Sequence, residues 1–344
     1  MSGSRQHFIP QFLQKGFASH SEGEEIYTWV FRKEGEPFNP NIKNIGVEGD
    51  FYTFGDDSTA DDLITDAESE FGELLHFLRE ESPTTVKAPL IPELIAHLEV
   101  TDQTPWLNFQ KISEMLVRQL NDFITDEDLF LNYAKRQAVN SDSYIYKELV
   151  DRLVQDTGYD RKNAGFLLKM YSSNLGEMID KVRPFLPEIA KKMSAELSKE
   201  KIKSLVKSGH VDILKKTIAP EVRKDIYEDF SYRIIEFENE ELIQGDAPVL
   251  FKIAGEEGYT TFIDKTVELK AVLLPLSPNK LLLGGEHFNP KESIPDIIAR
   301  NSLEYFITAN KNSKMFKYQN LIGSDANLLT KEEVEELAFD IFTE

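Results

Sequence analysis

Apolar positions recur along this chain with three different periods, and the changes of period outline its organisation. In "EEIYTWVFRKEGEPFNP", Ile26, Thr28 and Val30 alternate with Tyr27, Trp29 and Phe31, and "KEGE" supplies turn residues, so the stretch predicts a β-hairpin. "NIKNIGVEGDFYTF" reads as a loop and a short aromatic strand ending at Gly55. The period then becomes helical: Leu63, Ile64, Ala67, Phe71, Leu74, Leu75 and Leu78 recur at 3–4 residue spacing behind an acidic first turn, with Ser58 or Thr59 as candidate cap. Pro83, Pro89 and Pro92 punctuate the next stretch, before a helix through Leu98.

From about Asn108 to Glu228 every segment shows helical recurrence, broken at Gly158, Pro184, Pro187, Gly209 and Pro220. Beyond Tyr232 the β period returns in "YRIIEFEN", "APVLFKIAG", "YTTFIDK", "LKAVLLPLS" and "KLLLGG". A helix in "SIPDIIARNSLEYFITANKN", a short strand "KMFKYQ" and an acidic helix "TKEEVEELAFDIF" close the chain. These elements predict an α+β fold: a mainly antiparallel sheet built from the N-terminal hairpin and the C-terminal strands, with a large helical middle segment. The expected division is a discontinuous core domain, 1–107 and 232–344, and a helical insert or subdomain, 108–231.

Charge modifies this picture. The 344 residues carry a formal charge of −21, which disfavours nucleic acid and anionic membranes as partners. Residues 48–102 hold fifteen acidic side chains against Arg79 and Lys87, while residues 181–224 hold twelve basic against five acidic ones. Each run reads as a solvated face; the sharper expectation is that the basic run meets the acidic one, in the same chain or in a homo-oligomer or protein partner. There is no cysteine, which excludes disulfides, thiolate metal sites and cysteine nucleophiles. No apolar run approaches bilayer length, and the segment after Arg5 does not read as a secretory leader, so a cytoplasmic protein is expected.

The familiar catalytic signatures are missing. "GGEHFNP" is not a phosphate loop, the six histidines show no zinc-ligand spacing, and Ser277 is followed by proline, which excludes a nucleophile elbow. "DDSTADD" lacks the glycine and terminal glutamate of a calcium loop.

The opening "RQHFIPQFLQKGF" resembles the N-terminal signature of the DUF4238 proteins, a large bacterial family of unknown function, which opens on a basic residue followed by His-x-x-Pro-x-x-x-Leu. "NIGVEGDFYTF", "AESEFGELLHFL", "LIQGDAPVL", "VLLPLSPNKLLL" and "ARNSLEYFITANKNSKMFKY" are similar to further segments of that family, in order, over roughly residues 5–105 and 232–318. Two positions depart from its pattern: Gly245 stands where the resemblance leads one to expect Ser, and Gln103 where it leads one to expect Arg. The resemblance implies kinship of fold and brings no reaction with it.

The polar residues within these segments are Arg5, His7, Gln11, Asp50, Glu68, Asp246 and Asn301. A histidine with carboxylates suits general acid–base chemistry, and the carboxylates suit a hard divalent ion such as magnesium. On that reading His7, Asp246 and Glu68 are catalytic and Arg5, Gln11 and Asn301 bind substrate, in a hydrolase acting on a phosphate-containing compound. Each residue also has a plain structural reading: His7 as a hydrogen-bonder among Phe8, Ile9 and Phe12, Asp246 as a turn anchor, Glu68 as one acid of an amphipathic helix, Asn301 as a cap. The alternative function is a non-enzymatic protein-binding or self-assembly module using the helical middle segment.

Overall fold

A computed structural model describes residues 5–49, 57, 59–171, 199–263, 267–285, 293–326 and 328, with scattered positions between 174 and 192. The described residues form two compact units, one of residues 5–109 with 207–328 and one of the described residues of 110–206. In chain order the described elements begin with β1 (Arg5–His7), α1 (Gln11–Gln14), β2 (His20–Glu22), β3 (Glu25–Tyr27), β4 (Trp29–Arg32), β5 (Val47–Gly49), α2 (Thr59–Glu80), β6 (Thr85–Val86) and α3 (Leu90–Thr101). There follow α4 (Gln103–Thr125), α5 (Glu127–Val139), α6 (Tyr144–Thr157), α7 (Arg161–Met170), α8 (Lys199–Leu214) and α9 (Glu221–Glu228). The last are β7 (Tyr232–Glu236), β8 (Gln244–Gly245), β9 (Leu250–Ile253), β10 (Leu269–Ser277), β11 (Lys280–Gly285), α10 (Ile294–Asn301), β12 (Tyr305–Thr308) and α11 (Ser313–Gln319).

The fold is α+β, and its described strand pairs are antiparallel. In the first unit the larger sheet has the order β6-β7-β11-β10-β9. Its centre is the β10–β11 hairpin, with Leu273 opposite Leu283 and Leu274 opposite Leu282. The run is continuously apolar because both sheet faces are covered. Alternate residues Ala271, Leu273, Leu281 and Leu283 join a core with Phe8, Ile9, Phe31 and Phe306. Val272, Leu274, Leu276 and Leu282 join one with Phe12, Phe71, Leu75 and Leu78. Each of these leucines is worth about 2 kcal/mol when fully buried.

Strands from the two ends of the chain do pair, in a separate sheet of order β4-β12-β8. Phe31 faces Phe306, their rings stacked 5.1 Å apart. The hairpin expected at "KEGE" is present as a bridge between Val30 and Phe38. Gly245 of β8 lies so close to α10 that a Cβ there would stand 2.5 Å from Ser302 Oγ. The serine at 302 thus fills the space a side chain at 245 needs.

One local expectation needs correction. "KMFKYQ" is helical, not a strand: Asn312 accepts the Lys314 N–H at 2.9 Å, and Met315 and Tyr318 turn inward one helical turn apart. At the start of α2 Asp57 accepts the Thr59 N–H at 3.0 Å; of the two candidate caps, Thr59 is the first residue of the helix and Ser58 lies outside the described residues. Asp57 also pairs with Lys215 at 2.7 Å, and Glu99 of α3 with Arg223 of α9 at 3.4 Å. Within this unit, then, basic residues after 206 meet carboxylates of the acidic run.

The second unit is helical. Asp126, Ser143 and Asp160 accept the N–H groups of Leu129, Tyr146 and Asn163 at the starts of α5, α6 and α7, and Gly158 (φ 72°) ends α6 in the left-handed region. A small buried cluster of Tyr146, Val150, Ala164 and Leu168 joins α6 to α7. Among the described residues, no helix is long and apolar enough to cross a membrane.

Candidate functional site

The N-terminal segment is built around a change of direction. β1 runs beside β5, with His7 opposite Val47, and Pro10 (φ −57°, ψ 139°) turns the extended chain into α1. The turn brings Gln11 to His7. The His7 Nδ1–H donates to the Ile45 carbonyl at 3.1 Å, and Gln11 Nε2–H donates to His7 Nε2 at 3.0 Å. A carbonyl can only accept, so Nδ1 carries a proton, and Nε2 faces the Gln11 side-chain amide. Gln14 Nε2 donates to Ile9 O at 2.8 Å and Ile45 O at 3.2 Å, leaving its Oε1 buried without a hydrogen-bond partner. The Tyr305 hydroxyl, also buried without one, lies against Ile9 and Gly46.

Arg79 locks this segment onto the sheet. Its Nε donates to Leu276 O at 2.7 Å, and its Nη2 to Phe12 O at 3.0 Å and Leu13 O at 3.1 Å. Burial pulls the guanidinium down to about 10, and the carbonyls at the end of α1 offset the cost of holding the charge. Gly16 is required beside it, because any Cβ would run into Leu276 O and the guanidinium.

Glu68 occupies the inward stripe of α2. Ile64, one turn before it, packs in the cluster containing Phe8 and Ile9; Phe71, one turn after it, packs in the cluster containing Phe12 and Leu13. The glutamate therefore falls at the seam between two apolar clusters, on the helix face that covers the N-terminal segment. Burial, helped by repulsion from Asp61, pushes its carboxyl up to about 8, so it holds its proton at neutral pH.

Asp246 is engaged elsewhere. Its Oδ1 accepts the Leu303 N–H at 2.6 Å, and its Oδ2 those of Glu304 at 2.6 Å and Tyr305 at 3.0 Å. This buried carboxylate ties the loop after α10 to β8. Burial pushes it up to about 6 while the three N–H groups pull the other way. Tyr305 extends from the Asp246 carboxylate, which its N–H meets, to Ile9 and Gly46, beside its hydroxyl. Asn301 is buried at the end of α10, its Nδ2 donating to Ile297 O at 2.9 Å and its Oδ1 lacking a hydrogen-bond partner. Of the candidates, then, His7 and Gln11 are in direct contact, whereas Asp246 and Asn301 hold the α10–β12 connection. Arg5 lies in β1, opposite Gly49; its side chain, like the whole of Asp50, is outside the described residues. No group of three or more His, Asp or Glu among the described residues could hold a metal ion.

Sequence reasoning missed a second polar cluster in the same unit. Glu99, wholly buried in α3, accepts the Tyr227 hydroxyl at 2.6 Å and lies 3.4 Å from Arg223, whose Nη1 donates to Ile263 O at 2.8 Å. Burial holds the Glu99 carboxyl above its usual range, with Tyr227 and Arg223 drawing it back, and burial beside that carboxylate raises the Tyr227 hydroxyl. His97, also wholly buried, sits against Phe71 at 5.2 Å between ring centroids; it donates from Nδ1 to Ile218 O at 3.2 Å, and its Nε2 has no hydrogen-bond partner. Burial lowers it to about 4. The available signal was a histidine and a glutamate inside the apolar run "LIAHLEV".

No curated protein and no solved structure matches this chain. The sequence pattern of one family, described as protein of unknown function (DUF4238), matches residues 5–321, and the chain belongs to that family.

Proposed function

We propose that this protein is a self-assembling, protein-binding module whose helical unit presents the contact surface. The observation that carries the reading is where large apolar side chains meet water. Among the described residues of the helical unit Leu129, Tyr133, Tyr144, Tyr159, Phe166, Met170, Tyr171 and Phe185 are all exposed, while Tyr146, Val150, Ala164 and Leu168 form a small buried cluster joining α6 to α7. Concentrated exposed aromatic and methionine side chains are characteristic of surfaces that another chain covers. Light scattering after size-exclusion chromatography tests this. At about 100 μM, where a micromolar self-affinity is saturated, the chain is expected at twice its monomer mass or more. The double variant Phe166→Ser, Met170→Ser is expected to be monomeric. A wild-type chain that stays monomeric at that concentration refutes the reading.

One observation favours a second reading, a hydrolase of phosphate-containing substrates acting through His7 and Glu68. A glutamate that keeps its proton at neutral pH lies on the helix face covering the segment that carries His7, whose ring meets Ile45 O and the Gln11 amide. Glu68 would protonate a leaving group and His7 Nε2, freed from Gln11, would take a proton from water. Turnover of p-nitrophenyl phosphate that His7→Ala and Glu68→Gln each abolish, with unfolding midpoints retained, supports it; equal turnover by both variants refutes it.

A further inference from the structure

Helix α7 has two unlike faces. Ala164 and Leu168 are buried against Tyr146 and Val150. On the opposite side Lys162, Phe166, Lys169 and Met170 follow one another at i, i+4, i+7 and i+8, all exposed, Phe166 and Met170 each at 62%. The helix carries three basic residues and no acid in a chain of net charge −21. Arg161 is paired with Asp151 at 3.1 Å, whereas Lys162 and Lys169 form no ion pair among the described residues. Two large apolar side chains flanked by two ammonium groups fit one kind of ligand: a helix with apolar residues on one side and carboxylates beside them.

The chain itself contains such a segment. In residues 331–342, "KEEVEELAFDIF", Val334, Leu337, Ala338 and Ile341 fall at i, i+3, i+4 and i+7, and Glu332, Glu333, Glu335, Glu336 and Asp340 supply five carboxylates against the single Lys331. The run lies outside the described residues, beyond Leu328. We propose that this acidic C-terminal run is the ligand of the Lys162–Phe166–Lys169–Met170 face. The inference rests on the assembly reading and names its contact. Two copies that exchange their C-terminal runs form a closed pair with two identical contacts, and a third copy finds no face open.

The test uses the full chain carrying Leu337→Asp and Ile341→Asp, which spoil its own apolar stripe, and a fluorescein-labelled peptide of residues 329–344 followed by anisotropy. The peptide is expected to bind, to bind more weakly as salt is raised from about 50 to 300 mM, and to lose at least tenfold in affinity when Phe166→Ser and Met170→Ser are added. A Lys162→Glu, Lys169→Glu variant loses binding as well. All four α7 positions are exposed, so unchanged far-ultraviolet dichroism is expected of these variants. No binding, or equal binding by the α7 variants, overturns the proposal. Molecular mass separates the two readings. If the wild type is monomeric yet the peptide binds as expected, the run occupies the face within one chain: the ligand proposal stands and self-assembly falls. If the wild type associates through Phe166 and Met170 but the peptide does not bind, the ligand proposal falls and self-assembly stands.

Discussion

Replacing Glu68 by glutamine is the most informative single change. The ordinary carboxyl titrates at 4.5, as it does in the unfolded chain, and burial raises it to about 8 in the folded one. Between those values the folded protein holds a proton that the unfolded chain has released, so stability falls as pH rises, at most by about 1.4 kcal/mol per pH unit. From pH 6.5 to 8.5 the full loss is about 2 kcal/mol, and water reaching this half-buried group reduces it to about 1 kcal/mol. Asp246, raised to about 6, and His97, lowered to about 4, titrate below most of this window, and any share from Glu99 is common to both proteins. Urea unfolding at pH 6.5 and 8.5 reads the effect directly. The wild type is expected to lose about 1 kcal/mol more than Glu68→Gln across the window. Parallel pH dependences in the two proteins would refute the placement of Glu68 at the seam between the two clusters.

Three further outcomes are expected. Arg79→Met removes the hydrogen bonds to Phe12, Leu13 and Leu276, and should cost about 3 kcal/mol in urea unfolding, with amide exchange accelerated first over residues 12–17. Asp246→Ala strands three N–H groups and should cost about 3–5 kcal/mol, while Asp246→Asn, which keeps one acceptor, costs about half as much; equal midpoints for the two would contradict the anchoring role. Gly245→Ser should lower the melting temperature by colliding with Ser302, and adding Ser302→Ala should recover most of the loss; no recovery would show that the hydroxyl is not the obstacle.

The elements were legible where one local rule governs a stretch. The alternation at Trp29–Phe31, the unbroken apolar run of β10 and the helical recurrence of α2 each follow from the faces that must be covered, and the sequence therefore determines an α+β chain with a helical middle and antiparallel strands at both ends. Met315 and Tyr318 read as strand residues because six residues rarely distinguish the two periods; the Asn312 cap decides for helix. His7 and Gln11 were both legible as candidates, but their contact depends on the turn at Pro10 between β1 and α1. That Asp246 anchors backbone was one of its two readings; which backbone could not be read, because its partners, Leu303 to Tyr305, lie nearly sixty positions away and offer only N–H groups, which every residue has. The same holds for Arg79, whose acceptors are carbonyls, and for Glu99, whose burial and partners are set by how α9 packs on α3. A side chain's residue type limits its chemistry; whether that chemistry is spent on the backbone, on another side chain or left to water depends on long-range packing, and only the tertiary structure decides it.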